Sequence, residues 1–269
     1  MRACSVRRDV PWWLVGLLLL PILGVPAVAY LVSESLPGIA TLSLLAIAVQ
    51  GFVRFARERS TEGGFSAGLA LALAFCFSPI TVPFALALGA STVFLARERF
   101  RDEPSAVPAT VGVVVFPVVF VIAAWTFLQW RFSGAAFATL VDSPGFLAFP
   151  GGVWASLGAA TVTVGLGLLH APLYLLMAVS MGIREPLPLI GYLLPIAGSV
   201  VAVWTGLLFT QVSTTVLFTL LALIAVPRRP RRGLVFALAV VAVAQLALGW
   251  LWPPTSPGFA EWAGALTRV

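Results

Sequence analysis

The sequence predicts an all-α, polytopic helical membrane bundle of about nine transmembrane helices, with the amino terminus inside and the carboxyl terminus outside. Three observations predict it. Apolar residues make up 60% of the 269 and charged residues only 10%, with a mean hydropathy of +1.04, too little charge to cover a water-soluble surface. The uncharged runs reach the roughly 17–25 residues that a helix needs to cross a bilayer, where a barrel strand would need about ten with alternating polarity. All sixteen basic residues are arginine, and fourteen lie between apolar runs: Arg2/Arg7/Arg8, Arg54/Arg57/Arg59, Arg97/Arg99/Arg101, Arg184 and Arg228/Arg229/Arg231/Arg232. Short Arg-rich loops stay on the cytoplasmic side, so these clusters map the threading.

Starting inside at Arg2–Arg8, a first apolar run covers 11–32 and leaves near Glu34, and a second, 37–55, returns to the Arg54–Arg59 loop. The stretch 63–96 carries no charge over 34 residues. As one helix it would span about 51 Å at about 1.5 Å per residue, too long for a core of about 30 Å. Basic clusters at both its ends demand an even number of crossings, so Ser78-Pro79 and Pro83 mark a hairpin of 64–78 and 80–96. Run 106–129 then exits, with Trp125 and Trp130 suited to an interfacial belt. An outer segment, 131–150, has room for a short helix lying on the membrane. Run 156–181 re-enters toward Arg184/Glu185, 187–209 and 211–226 form another hairpin, and 233–252 exits. Residues 1–252 read as one transmembrane domain and 253–269 as a short Pro-rich extracytoplasmic tail. Arg7/Arg8 followed by an apolar core and Ala27-Val28-Ala29 also fits a cleavable signal peptide, which would leave the remaining threading unchanged.

The net charge of +6 is not a nucleic-acid signal, because the arginines flank apolar spans and suit anionic lipid headgroups on the inner face. Lys and Asn are absent beside abundant Ala, Gly, Val, Pro and Arg, the codon bias of a GC-rich bacterial genome, which points to a bacterial cytoplasmic membrane. Cys4 and Cys76 lie at different depths and give neither a disulfide nor a metal framework. Gly64, Gly68, Ala72 and Cys76 recur every four residues, as do Ala85 and Gly89, small-residue faces for packing within the hairpin. Gly63-Gly64 and Gly151-Gly152 read as turns beside spans.

His170, the single histidine, lies within an apolar run just before Pro172, which predicts a kink there. An ionisable group at membrane depth is a functional candidate. Without an intramembrane carboxylate to form a relay, it reads as a neutral imidazole bonded to a neighbouring helix, and no metal site or cofactor is expected. Gln50, Gln211 and Gln245 serve interhelical hydrogen bonds. The outward-facing charged groups are Glu34, Arg131, Asp142, Glu261 and Arg268. Glu34 and Asp142 are the acid–base candidates, and Arg131 with Trp130 the candidates for a lipid headgroup. A carboxylate at the start of the second span would also complement the helix dipole, so Glu34 reads first as a cap.

The order Ser33-Glu34-Ser35-Leu36-Pro37, an apolar span, an Arg-rich inner loop and then Gly63–Pro79 resembles the middle of GT-C membrane glycosyltransferases. Gln129-Trp130-Arg131-Phe132-Ser133-Gly134 is similar to that family's Trp-x-Phe-Thr-Gly segment, and the resemblance covers roughly 30–150. It implies a substrate of polyprenyl-linked type. Family members carry a catalytic Asp or Glu in a large first outer loop, and here that loop is only about 33–36. The resemblance therefore implies the lipid-binding core without its catalytic centre. Three functions follow as expectations: positioning a lipid-linked envelope substrate, alone or with a membrane partner; a small transporter or permease subunit; and a structural anchor of a larger complex.

Overall fold

Proline and glycine punctuate the apolar runs, and several helices begin or end at them, although Pro21, Pro117 and Pro195 lie inside helices. The computed structural model describes residues 12–58, 60–137, 141, 145–182, 186–207, 210–226, 232–254 and 257–266. Among these it forms twelve helices and no strand: α1 (Trp12–Leu23), α2 (Pro26–Glu34), α3 (Leu36–Glu58), α4 (Thr61–Phe77), α5 (Thr81–Arg99), α6 (Ala106–Ser133), α7 (Val153–Leu169), α8 (Pro172–Gly182), α9 (Pro186–Trp204), α10 (Gln211–Ile224), α11 (Arg232–Leu251) and α12 (Pro257–Leu266). α3, α6 and α11 are long and apolar enough to cross a membrane, and the number rises to five if the bent pairs α1–α2 and α7–α8 each count as one span. α4 and α10, with 17 and 14 residues, fall short of that length. Large apolar side chains stand exposed along α4, α5, α6 and α11, among them Phe65, Leu86, Phe116, Phe120 and Phe236. So extensive an apolar surface suits lipid, not water.

The expected hairpin in 63–96 is present. Ser78 ends α4 in extended conformation, its hydroxyl accepts from Ile80 N at 3.3 Å, and α5 begins at Thr81. The kink expected at Pro172 is present, and the first expected span, 11–32, is broken as well. α1 and α2 meet at 58° and α7 and α8 at 87°, because Pro26 and Pro172 each lack the N–H that would continue the ladder. The tail beyond α11 is helical over Pro257–Leu266, and Phe259 is buried with its ring edge-on to Tyr30 of α2, centroids 5.6 Å apart. Of the outer segment 131–150, residues 138–140 and 142–144 lie outside the described residues, and the described stretches 134–137 and 145–150 are turns and irregular backbone. α6 itself runs to Ser133 and stops at Gly134, whose φ of 76° is left-handed.

α3 lies at the centre, buried along its length from Thr41 to Ala56. It packs backbone to backbone on α4: a Cβ added at Gly51 would lie 2.8 Å from Gly63 O and 2.9 Å from Ala67 N. Gly63 and Gly64 are thus helical packing residues rather than a turn, and the Ser60 hydroxyl caps α4 by accepting from Gly63 N at 3.2 Å. The small-residue face of α4 meets α6 rather than its hairpin partner α5, since a Cβ on Gly68 would fall 2.1 Å from Val114 O. Gly89 of α5 also faces α6, through Val115. In lipid such close backbone approach lets dispersion replace the hydrophobic drive. A void of about 10 Å³ between Leu45, Phe84, Leu88, Pro195 and Leu217 is no larger than a single water needs. Arg99 joins the ends of α5 and α3, donating to Phe55 O at 3.3 Å and Ala56 O at 3.0 Å, which puts two of the arginine clusters side by side.

Candidate functional site

The described candidates that the sequence assigns to the outer face stand on different helices. Glu34 is exposed and closes α2 instead of opening α3, so it sits at the negative end of a helix dipole and not at the positive end expected for a cap. Ser35 does the capping, its hydroxyl accepting from Gly38 N at 3.1 Å. Trp130 and Arg131 end α6, with Trp130 58% exposed and its ring 6.2 Å from Phe127. Arg131 in the last turn complements the carboxyl-terminal dipole. α2 packs on α3 and α10, whereas α6 packs on α4 and α5, and no ion pair joins Glu34 to Arg131 among the described residues. Asp142 lies outside the described residues.

His170 occupies a built environment. It caps α7 at the 87° break before α8 and is only 3% exposed. Nδ1 lies 2.8 Å from Leu166 O and 3.3 Å from the Gln211 amide nitrogen, while Nε2 lies 2.7 Å from Trp252 O. The Trp252 carbonyl is available because Pro253 and Pro254 follow it, and neither has an N–H to continue α11. The Trp252 ring packs on the imidazole with centroids 5.1 Å apart. The expectation of a histidine hydrogen-bonded to a neighbouring helix thus holds, and the neighbours are α10 and the end of α11.

Gln245 continues the polar column. Its Oε1 accepts from Leu173 N at 3.2 Å, satisfying a first-turn donor of α8, and its Nε2 donates to Thr219 Oγ1 at 2.8 Å. Thr214 and Thr215 return hydroxyl bonds to Gln211 O at 2.8 and 2.9 Å, and Thr219 to Thr215 O at 2.8 Å. Below them Tyr174 donates to the Tyr192 carbonyl, with the two rings stacked at 4.5 Å. The Tyr192 hydroxyl and Ser199 Oγ are buried on α9 without a hydrogen-bond partner. Gln211 and Gln245 bond between helices as expected, but Gln50 is exposed. Tyr174, Tyr192 and the threonines carried no warning in the sequence except polarity inside apolar runs. Their spacing matters only once α8, α9 and α10 are packed together.

Among the described residues no group of three His, Cys, Asp or Glu side chains is placed to hold a metal ion. The chemistry available at the buried site is proton exchange at one imidazole and hydrogen-bond rearrangement around it. At the carboxyl-terminal end of α6 it is recognition of an anion beside apolar surface. No protein-family model, curated protein or solved structure matches this chain.

Proposed function

We propose that this chain is a multi-pass protein of a bacterial cytoplasmic membrane that binds and positions a polyprenyl-linked anionic substrate at its outer face, without a catalytic centre of its own. The supporting observation is α6. Over 28 residues only Val114, Pro117 and Val118 are buried, and an exposed aromatic track through Phe116, Phe120 and Phe127 leads to Trp130 and Arg131. An apolar track ending in a guanidinium suits a long isoprenoid tail with a phosphate head, since arginine pairs with phosphate through a fork of donors. The threading that goes with this function is nine crossings, amino terminus in and carboxyl terminus out, with the inner arginine loops on anionic headgroups.

Native mass spectrometry of the protein released from nanodiscs doped with polyprenyl phosphate tests the proposal. A retained polyprenyl phosphate is expected, with occupancy falling about tenfold in Arg131→Ala, equivalent to about 1.4 kcal/mol. Retention of bulk phospholipid alone, equal in both proteins, would sink the proposal.

A second reading, a small permease, draws on the two broken segments and on His170 at one of the breaks, because discontinuous helices frame substrate sites in many transporters. Its check is substrate flux into proteoliposomes that His170→Ala abolishes. Flux unchanged by that substitution removes His170 from any such role.

A further inference from the structure

Both ring nitrogens of His170 face main-chain oxygen, Nδ1 at 2.8 Å from Leu166 O and Nε2 at 2.7 Å from Trp252 O. A carbonyl only accepts, so each contact is a hydrogen bond only while that nitrogen carries hydrogen, and a neutral imidazole carries one. The Gln211 amide nitrogen lies 3.3 Å from the same Nδ1. An amide N–H bonds there only when Nδ1 presents a lone pair. Nδ1 is therefore addressed by one acceptor and one donor, and its own proton decides between them.

We infer that His170 is a proton-binding site whose occupancy exchanges the partner of Nδ1 between the Leu166 carbonyl and the Gln211 amide, while Nε2–H keeps its bond to Trp252 O. In the protonated state the imidazolium donates to both carbonyls and the Gln211 amide N–H is released from the ring. When Nδ1 passes its proton to water, the Leu166 carbonyl no longer has a donor from the ring. Gln211 then donates to the lone pair and ties α7 to α10. The proton thus controls a cross-link at the 87° break.

The surroundings set the balance between the states. The carboxyl-terminal ends of α7 and α11 both point carbonyls at the ring, whereas α10 begins at Gln211 and brings its amino terminus to it. Among the described residues the titratable groups that α8 and α9 bring to this column are the phenols Tyr174 and Tyr192. From α10 and α11 the neighbours are uncharged Gln and Thr side chains; Arg232 starts α11 at its far end. Glu34 on α2 and Glu261 on α12 are exposed, and among the described residues no carboxylate pairs with the ring. The switch therefore turns on neutral partners.

Because the chain has one histidine, ¹⁵N-histidine labelling of the full-length protein, prepared without a polyhistidine tag in lipid nanodiscs, reads this residue alone. At high pH the ring should be neutral, with hydrogen on Nε2 and a bare Nδ1. On acidification Nδ1 alone should gain hydrogen, and the Gln211 side-chain amide should shift in the same step. A neutral ring carrying its hydrogen on Nδ1 overturns the inference. So does a ring that keeps one protonation state across the whole pH range in which the protein stays folded. In Gln211→Leu the neutral-state Nδ1 resonance should move toward that of a free lone pair while Nε2 stays put. An unmoved Nδ1 would show that Gln211 is not the exchange partner, and the wild-type measurement stands alone if that variant does not fold.

Discussion

At the residue scale, the glycines separate packing from filler. A Cβ on Gly68 would sit 2.1 Å from the main-chain oxygen of Val114, which cannot swing aside as a side chain could. Gly68→Ala must push α6 off α4 and is expected to cost about 1–3 kcal/mol, the usual range for forced overpacking. Gly112, in the interior of α6, has nothing within 4 Å of the equivalent position. Gly112→Ala should be neutral or stabilising by up to about 1 kcal/mol, since alanine is the better helix former. Thermal unfolding in detergent, followed by circular dichroism, compares the two. Equal losses in both would mean that the α4–α6 approach is not what Gly68 provides. Glu34 teaches the same lesson from another side. Its neighbourhood in sequence, Ser33-Glu34-Ser35-Leu36-Pro37, was legible as a helix boundary, but the residue falls on the near side of that boundary and the adjacent serine makes the cap.

At the element scale, α11 holds both broken segments. Trp250 donates its indole N–H to Gly24 O at 2.9 Å, a carbonyl left open because Val28 N turns to Val25 O. Gln245 serves the first turn of α8, and Trp252 O receives His170. Broken helices survive at membrane depth only where such partners satisfy the freed groups. Gln245→Leu removes the acceptor for Leu173 N and the donor to Thr219 together, with an expected loss of about 1–2 kcal/mol. Gln50→Leu, at an exposed position, should change stability little. Hydrogen exchange of the Leu173 amide supplies the local readout, and protection unchanged in Gln245→Leu would remove α11 from this supporting role. The breaks at Pro79 and Pro172 were foreshadowed by proline and the one at Pro26 was not, and the angles depend on what packs beside them.

At the scale of the whole molecule, topology is the property that function rests on. Single cysteines placed at Glu58, Pro79, Arg101, Phe132 and Glu261, in a chain lacking Cys4 and Cys76, report it through a membrane-impermeant maleimide on intact cells. Positions 58 and 101 should be protected, and 79, 132 and 261 should label. Protection of 79 would make α4 and α5 a re-entrant hairpin and end the count of nine crossings. Labelling of 58 and 132 from the same side would end the proposed threading altogether. The contact of Arg99 with the carbonyls of Phe55 and Ala56 makes 58 and 101 a matched pair, because the loops that carry them lie together.

The amino-acid sequence by itself determined the helical class, the apolar exterior and most helix boundaries, because these follow from composition, from run length and from the missing N–H of proline. It also marked His170, Gln211 and Gln245 as polar groups in apolar runs. Only the tertiary structure decided that small-residue faces on α4 and α5 seat α6, that Glu34 and Arg131 stand on separately packed helices, and that both nitrogens of His170 meet carbonyls. Those outcomes depend on which helices become neighbours. In lipid that choice is made by backbone shape and by partners for freed polar groups, neither of which a local stretch of sequence specifies.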